Sequence, residues 1–263
     1  MAQRMGLIDR LLRRAPEAPA HRVPDGQRLY AIGDIHGRID LFEALLERLA
    51  ADHAARAPAA AHLVLLGDYV DRGPRSAQML DRLANGPPEW ATWTLLRGNH
   101  EQVLLDLWNR RPGFNKRLAA WLDFGGRETL RSYGLASSIA FGDDLEAIGA
   151  EIRRLVSERH IRLIEAMPLT FRCGDYLFVH AGLKPGLEVE YQQPHDLLWV
   201  RDEFLDSDAD HGAMVVHGHS VTALVDVRPN RIGIDTGAYA TGRLTALALE
   251  GAERRFLSTL DRA

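Results

Sequence analysis

Short apolar runs that stop at glycine and a polar residue recur along the first half of the chain. LYAIGD (29–34) passes through HGR into IDLFEALLERLAADH, where Leu41, Phe42, Leu45, Leu46 and Leu49 fall at helical spacing. HLVLLGD (62–68) passes through YVDRG into SAQMLDRLAN, and WATWTLLRGN (90–99) into HEQVLLDLW. Each is a run of strand length followed by an amphipathic stretch, so three strand–loop–helix units follow one another and the fold class is α/β. Residues 113–168 break this rhythm. FNKRLAAWLDFGG and, ahead of Pro168, LEAIGAEIRRLVSERHIRLIEAM carry helical periodicity, which predicts a helical insert packed on the same core. Beyond it, YLFVHAG (176–182), MVVHGHS (214–220), RIGIDTGA (231–238), LTALALE (244–250) and RRFLSTL (254–260) predict short strands of a mixed or antiparallel sheet. With no internal repeat and no long linker, residues 28–263 read as one domain.

Ahead of it, residues 1–27 read as a basic N-terminal helix and linker. Met5, Leu7, Ile8, Leu11 and Leu12 alternate there with Arg4, Arg10, Arg13 and Arg14, and a Pro/Ala stretch follows. That segment lacks the apolar core and cleavage site of a secretory signal. No run reaches the roughly 18 apolar residues of a membrane span, and the expected location is cytoplasmic. Hydrophobic residues at 46% and charged residues at 26% suffice for a sizeable core. A formal net charge of −4 and a pI near 6.3 exclude a global basic footprint, so stable nucleic-acid binding is not expected. The single cysteine, Cys173 in TFRCGDYLFV, rules out an intrachain disulfide and reads as a packing residue at a strand edge.

The strand ends carry the chemistry. In open α/β sheets ligands bind in the crevice beyond the carboxyl ends of the strands. Those ends hold Asp34 and His36; Asp68, Asp71 and Arg72; Arg97, Asn99 and His100; His180; and His217 and His219. Any one of them reads equally as a turn former, a helix cap or a hydrogen-bonded core histidine. Five such ends together do not, because a core has no use for so many charges in one crevice. Carboxylate, imidazole and amide oxygen in one set suit Mn, Fe or Zn better than Ca or Mg. Two divalent cations about 3.5–4 Å apart need an anion between them, and Asp68 is the natural bridge. No P-loop, GxSxG elbow or Cys-x-x-Cys spacing is present.

GDIHG (33–37), GDYVDRG (67–73) and GNHE (98–101) are similar in order and spacing to the leading motifs of the phosphoprotein phosphatases of the calcineurin-like metallophosphoesterase superfamily, and VHAG (179–182) and HGHS (217–220) to its C-terminal metal motifs. RGNHEQ (97–102), LLWVRDEF (197–204) and IDTGAYATGRLT (234–245) resemble the short bacterial and phage branch typified by the lambda protein phosphatase. The resemblance covers roughly residues 28–250. It implies a β-sandwich of mixed sheets flanked by helices and two divalent metal ions, most simply manganese. The first would be held by Asp34, His36 and Asp68, and the second by Asp68, Asn99, His180 and His219. The ligand follows the glycine of Gly-His-Ser, which selects His219; His217, two residues earlier on the same expected strand face, takes a structural or supporting role. Arg72, Arg97 and Arg201 match the phosphate-binding arginines, Arg201 in the loosest motif.

The reaction so implied is direct hydrolysis of phosphoserine and phosphothreonine in protein substrates, with phosphotyrosine also accepted. A metal-bridging hydroxide attacks phosphorus in line. His100, oriented by Asp71, protonates the leaving oxygen. Gly98 would ease the turn, and Glu101 would help start the following helix. The other histidines, in loops or on helical faces, read as structural. Two rivals stand. A dinucleoside polyphosphate hydrolase or RNA-end pyrophosphatase would use the same metals on an anhydride; Asp71 and GNHE, rather than GNHD, speak against it. A non-catalytic metal-bound scaffold would have lost His100 or a ligand such as Asn99, and every expected position is occupied.

Overall fold

The three glycine-terminated runs become the parallel centre of a sheet. The structure, a computed structural model, describes residues 21–140, 142 and 144–260; the basic amphipathic stretch of residues 1–20 lies outside them. β1 (Gln27–Ile32) pairs in parallel with β2 (Ala60–Leu65), and β2 with β3 (Thr92–Leu95). Two later strands return to the same sheet. β9 (Thr245–Glu250) runs antiparallel to β1 and β10 (Glu253–Ser258) antiparallel to β9, giving the order β10-β9-β1-β2-β3. The second sheet has the order β4-β5-β6-β8-β7, with β4 (Thr170–Cys173), β5 (Tyr176–Val179), β6 (Met214–His217), β7 (Asp226–Val227) and β8 (Arg231–Gly233). Here β5, β6 and β8 are parallel and the edge strands β4 and β7 antiparallel, so both sheets are mixed.

Strand periodicity sorts the side chains into layers. On β1, Leu29 and Ala31 point between the sheets and meet Phe178, Met214, Val216 and Ile232. Tyr30 and Ile32 point the other way, onto helices α1 (Ile39–Ala54) and α2 (Ser76–Ala84). Burial on both faces is why these strands read as continuous apolar runs rather than as alternating ones. α1 buries Phe42, Leu45, Leu46 and Leu49, the stripe expected from its spacing. The outer face of the second sheet (Leu177, Val179, Val215) is covered by Leu197 and Phe204. These come from α9 (Pro194–Trp199) and α10 (Asp202–Leu205), two short helices in a stretch that reads as loop in the sequence. The result is a two-sheet sandwich with helices on both outer faces.

After α3 (Asn99–Trp108), the insert consists of α4 (Phe114–Trp121), α5 (Arg127–Ser132), α6 (Ser137–Ala140), α7 (Leu145–Leu155) and α8 (Glu158–Ala166). The long helical pattern before Pro168 breaks at Val156–Ser157, where the Ser157 hydroxyl accepts the Arg159 N–H and starts α8. Leu118, Trp121, Leu130, Ile148, Ile152 and Ile161 join the helix-side core of the first sheet, so the insert shares that core as expected. No helix of the described residues is long and apolar enough to cross a membrane.

Candidate active site and metal centre

Five chain segments leave the strands and are tied to one another before any ligand is considered. The N–H groups of Ile35 and His36 donate to the Asp68 carbonyl at 3.1 and 2.8 Å, which fastens the first loop to the second. The second loop is held from below by Glu101, whose buried carboxylate accepts the N–H groups of Asp68, Tyr69 and Val70 at 2.8, 2.8 and 3.1 Å and of Gly98 at 3.0 Å. Glu101 therefore does more than start a helix: the capping contact survives, but its main role is to fix the Asp68 loop. Gly98 also has a different reason from the one expected. Its backbone is extended (φ −90, ψ 172), which any residue adopts. What excludes a side chain is Asp68, since a Cβ would sit 2.2 Å from its Oδ1.

Of the six non-glycine residues with positive φ among the described residues, five lie here: His36, Asp68, Asp71, Arg72 and His219. Left-handed backbone costs such residues about 1–2 kcal/mol, and the hydrogen bonds above hold it in place at His36 and Asp68.

The polar groups brought together are short of donors. The Nδ1–H of His36 donates to the Val70 carbonyl at 2.8 Å, so its Nε2 turns a lone pair toward Asp68 Oδ2, 3.6 Å away. His180 repeats the arrangement: Nδ1 meets the Leu66 carbonyl at 2.9 Å, and Nε2 faces Asn99 Oδ1 at 2.8 Å and Asp68 Oδ1 at 3.4 Å. His219 brings Nδ1 to the same Asn99 oxygen at 2.8 Å. Burial pushes His36 down to about 3 and lowers His180, so both imidazoles are neutral. Asp34 accepts the His219 N–H through Oδ2 at 3.0 Å and leaves Oδ1 buried without a partner. Burial, then Asp235 and Asp68, raise its carboxyl well above the usual range. The His36 and His180 lone pairs, the Asn99 oxygen and the Asp34 and Asp68 carboxyls converge here, and that donor set fits divalent metal ions. The ligand atoms of Asp68, His180 and His219 lie within 4.8 Å of one another, as do those of His36, Asp68 and His100.

His100 Nδ1 lies 2.6 Å from Asp71 Oδ2. Burial acts to lower this imidazole, but Asp68, with Oδ2 3.8 Å from Nε2, and the hydrogen bond to Asp71 outweigh it and push it up to about 9. Arg72 brings Nη2 to 3.4 Å from His100 Nε2, and its guanidinium lies over the Tyr239 ring, 4.6 Å from the centroid. His100 and Arg72 line a cavity of about 700 Å³ with Asp68, Asn99, Trp199, Arg201 and His219; the α4 side of the wall is Lys116, Arg117, Ala120 and Trp121, and Phe124 adjoins them.

Three expectations need correction. Arg97 does not line this cavity. Its guanidinium donates to the Glu165 and Met167 carbonyls at 3.0 and 3.1 Å and to Gln102 Oε1 at 3.0 Å, so it holds the carbonyl end of α8 against β3. His217 and His219 do not share a face, because β6 ends at His217 and the chain turns at Gly218 and His219 (φ 62). His217 lines a separate cavity of about 380 Å³ with Asp226 and Arg231, and its Nε2 is buried without a hydrogen-bond partner. His62 lies on a strand, with its ring nitrogens 2.7 and 2.9 Å from the Thr92 and Thr94 hydroxyls, and it stacks on Phe171 of the other sheet. Trp121, Thr129, Glu101 and Asp235 were not legible as site residues. Apart from the Asp235 of IDTGA, their contacts are long-range and leave no local pattern.

The sequence profile of the calcineurin-like phosphoesterase family matches residues 27–245. Comparison with curated proteins gives no match. Among solved structures, a protein assigned as a diadenosine tetraphosphatase superposes with a TM-score of 0.60 at 20% identity, over 91% of this chain and 98% of that one. A serine/threonine phosphatase from Saccharomyces cerevisiae gives 0.52 at 15%, over 90% and 81%. A cold-active protein tyrosine phosphatase from a Shewanella species gives 0.51 at 16%, over 90% and 83%. At these identities the likeness is one of fold. The profile match spans most of the chain, the two mixed sheets carry the matched motifs at their ends, and the chain belongs to the calcineurin-like phosphoesterase family.

Proposed function

We propose that this chain is a metal-dependent serine/threonine protein phosphatase of the lambda-like bacterial branch that also accepts phosphotyrosine. It would act in the cytoplasm as one catalytic domain over residues 28–263. The observation that carries the reading is the Asp71–His100 pair, a buried 2.6 Å contact whose His100 lines the cavity beside Asp68 and Arg72. A phosphomonoester of serine or threonine leaves as an alkoxide, a poor leaving group that needs a proton delivered to it. Asp71 fixes the His100 ring through Nδ1, and Nε2 gives the proton to the leaving oxygen. Arg72 and Arg201 present guanidinium forks that match phosphoryl oxygens and stabilise their charge as the bond to phosphorus breaks.

Asp34, His36 and Asp68 would hold one divalent cation, and Asp68, Asn99, His180 and His219 a second, with manganese as the first choice and iron or zinc as alternatives. When bound, such a pair supplies Lewis-acid chemistry and makes hydroxide available near neutral pH.

A second reading is favoured by the cavity wall. Phe124 and Trp199 expose aromatic surface, and Lys116 and Arg117 add positive charge on the same cavity. That combination suits a base and additional phosphates, as in a dinucleoside polyphosphate. The test is a panel of phosphopeptides and dinucleoside polyphosphates, assayed with manganese-loaded enzyme. The proposal expects kcat/KM higher on the peptides by at least about tenfold. The reverse preference would sink it.

A further inference from the structure

The insert does more than form a wall. At the end of α4, Trp121 directs its indole Nε1–H to Asp71 Oδ2 at 2.8 Å, the oxygen that also holds His100. From α5, the Thr129 hydroxyl donates to the other oxygen, Asp71 Oδ1, at 2.6 Å and accepts the Asp71 N–H at 2.9 Å. Asp71, Thr129 and Trp121 are buried. In the turn between the two helices, the Gly125 carbonyl accepts the Arg72 N–H at 3.2 Å. The backbone there has no room to spare: a Cβ on Gly125 would lie 2.3 Å from the Arg72 nitrogen.

A carboxylate held only by an imidazole can turn about its Cβ–Cγ bond and take the ring with it. Donors on both oxygens, from two different helices, define its plane. Asp71 and Arg72 are both in left-handed backbone (φ 71 and 65); within the loop the Gly73 N–H donates to the Asp71 carbonyl at 2.7 Å, and the Asp71 N–H also reaches Ser76 Oγ of α2 at 3.0 Å. The buried indole N–H in turn needs an acceptor, and Asp71 provides it.

We propose that Trp121 and Thr129 are positioning residues through which the helical insert fixes the Asp71 carboxylate and so aims His100 Nε2 at the leaving oxygen. This rests on the assignment of His100 as the proton donor. It predicts a selective defect: reactions that need the proton are slowed, while those with a good leaving group are spared.

The test uses the full-length, metal-loaded enzyme and two substrates, 4-nitrophenyl phosphate, whose leaving group needs little protonation, and an alkyl phosphate, whose leaving group needs it fully. Thr129→Val is expected to lower kcat on the alkyl phosphate by about 10–100-fold and on the aryl phosphate by less than about threefold, with metal content unchanged; Trp121→Phe, at a residue that also lines the cavity, is expected to lose at least about tenfold more on the alkyl than on the aryl phosphate. Thr129→Ser, which keeps the hydroxyl, restores the alkyl rate. Thr129 is away from the cavity lining, so its variant decides the matter if Trp121→Phe fails to fold. Equal losses on both substrates would mark the two residues as packing only and overturn the proposal. So would unchanged rates in Thr129→Val while His100→Asn retains the selective defect. If His100→Asn itself shows no leaving-group dependence, the proton-donor assignment falls, and this proposal falls with it.

Discussion

Asp68 is the residue on which both halves of the proposed centre depend. Oδ2 faces His36 and His100, and Oδ1 faces His180 and accepts the His100 N–H at 3.1 Å. Asp68→Asn keeps the shape but removes the charge that two cations share. It is expected to lose most bound metal, read by elemental analysis, and about 10³-fold or more in kcat. His100→Asn separates the roles differently. Because Nδ1 is committed to Asp71, the variant should lower kcat by about 10²–10⁴-fold with metal content unchanged. Since a ligand atom of the ring also lies within 4.8 Å of those of His36 and Asp68, a loss of metal in this variant would make His100 a ligand instead of the acid.

At the level of elements, the site is assembled by side chains that never touch substrate. Glu101 gathers four backbone N–H groups from two loops. Glu101→Gln puts an amide NH₂ where one oxygen accepted, and the stranded N–H groups should cost about 2–4 kcal/mol in urea unfolding. An unchanged midpoint would show that the loops hold without it. Arg97 links β3 to α8 through carbonyls of the insert. Arg97→Ala should therefore lower the thermal midpoint while leaving the inhibition constant of inorganic phosphate within about threefold. A tenfold rise in that constant would return Arg97 to the phosphate site.

For the whole molecule, acid and chelation test the two sources of order separately. His62 joins the sheets through Phe171, and burial lowers its pKa below the ordinary value of about 6.5. Above pH 6.5 the ring is neutral in both folded and unfolded chains. As pH falls, the unfolded chain takes up the proton first, so stability is lost from about pH 6.5 down to the folded pKa. His62→Gln should flatten that part of the curve of urea midpoint against pH, and an unchanged slope would assign the acid sensitivity elsewhere. Chelation followed by dialysis should abolish hydrolysis and lower the thermal midpoint, because ions that bind only the folded chain stabilise it by about 2.7 kcal/mol at a hundred times Kd. Resupply of manganese, zinc or iron, one at a time, then ranks the metals by recovered rate.

Sequence alone determined what depends on local spacing. The apolar runs of strand length, the α1 stripe and the helical insert are local patterns, and the motifs at the strand ends put Asp34, His36, Asp68, Asn99, His100, His180 and His219 where one crevice could collect them. Tertiary structure decided what depends on approach between distant segments. Arg97 reads like a phosphate ligand because it precedes GNHE, yet carbonyls nearly 70 residues away claim its guanidinium. His217 and His219 look like neighbours on one face until the backbone turns between them. Trp121 and Thr129 look unremarkable in the chain and Glu101 reads there as a motif residue that starts a helix, whereas their part in the site comes from hydrogen bonds spanning 31–58 residues. Periodicity records which way a side chain faces within its own element. It carries no record of the carboxylate or N–H that another element brings to meet it, and at this site those meetings set the geometry.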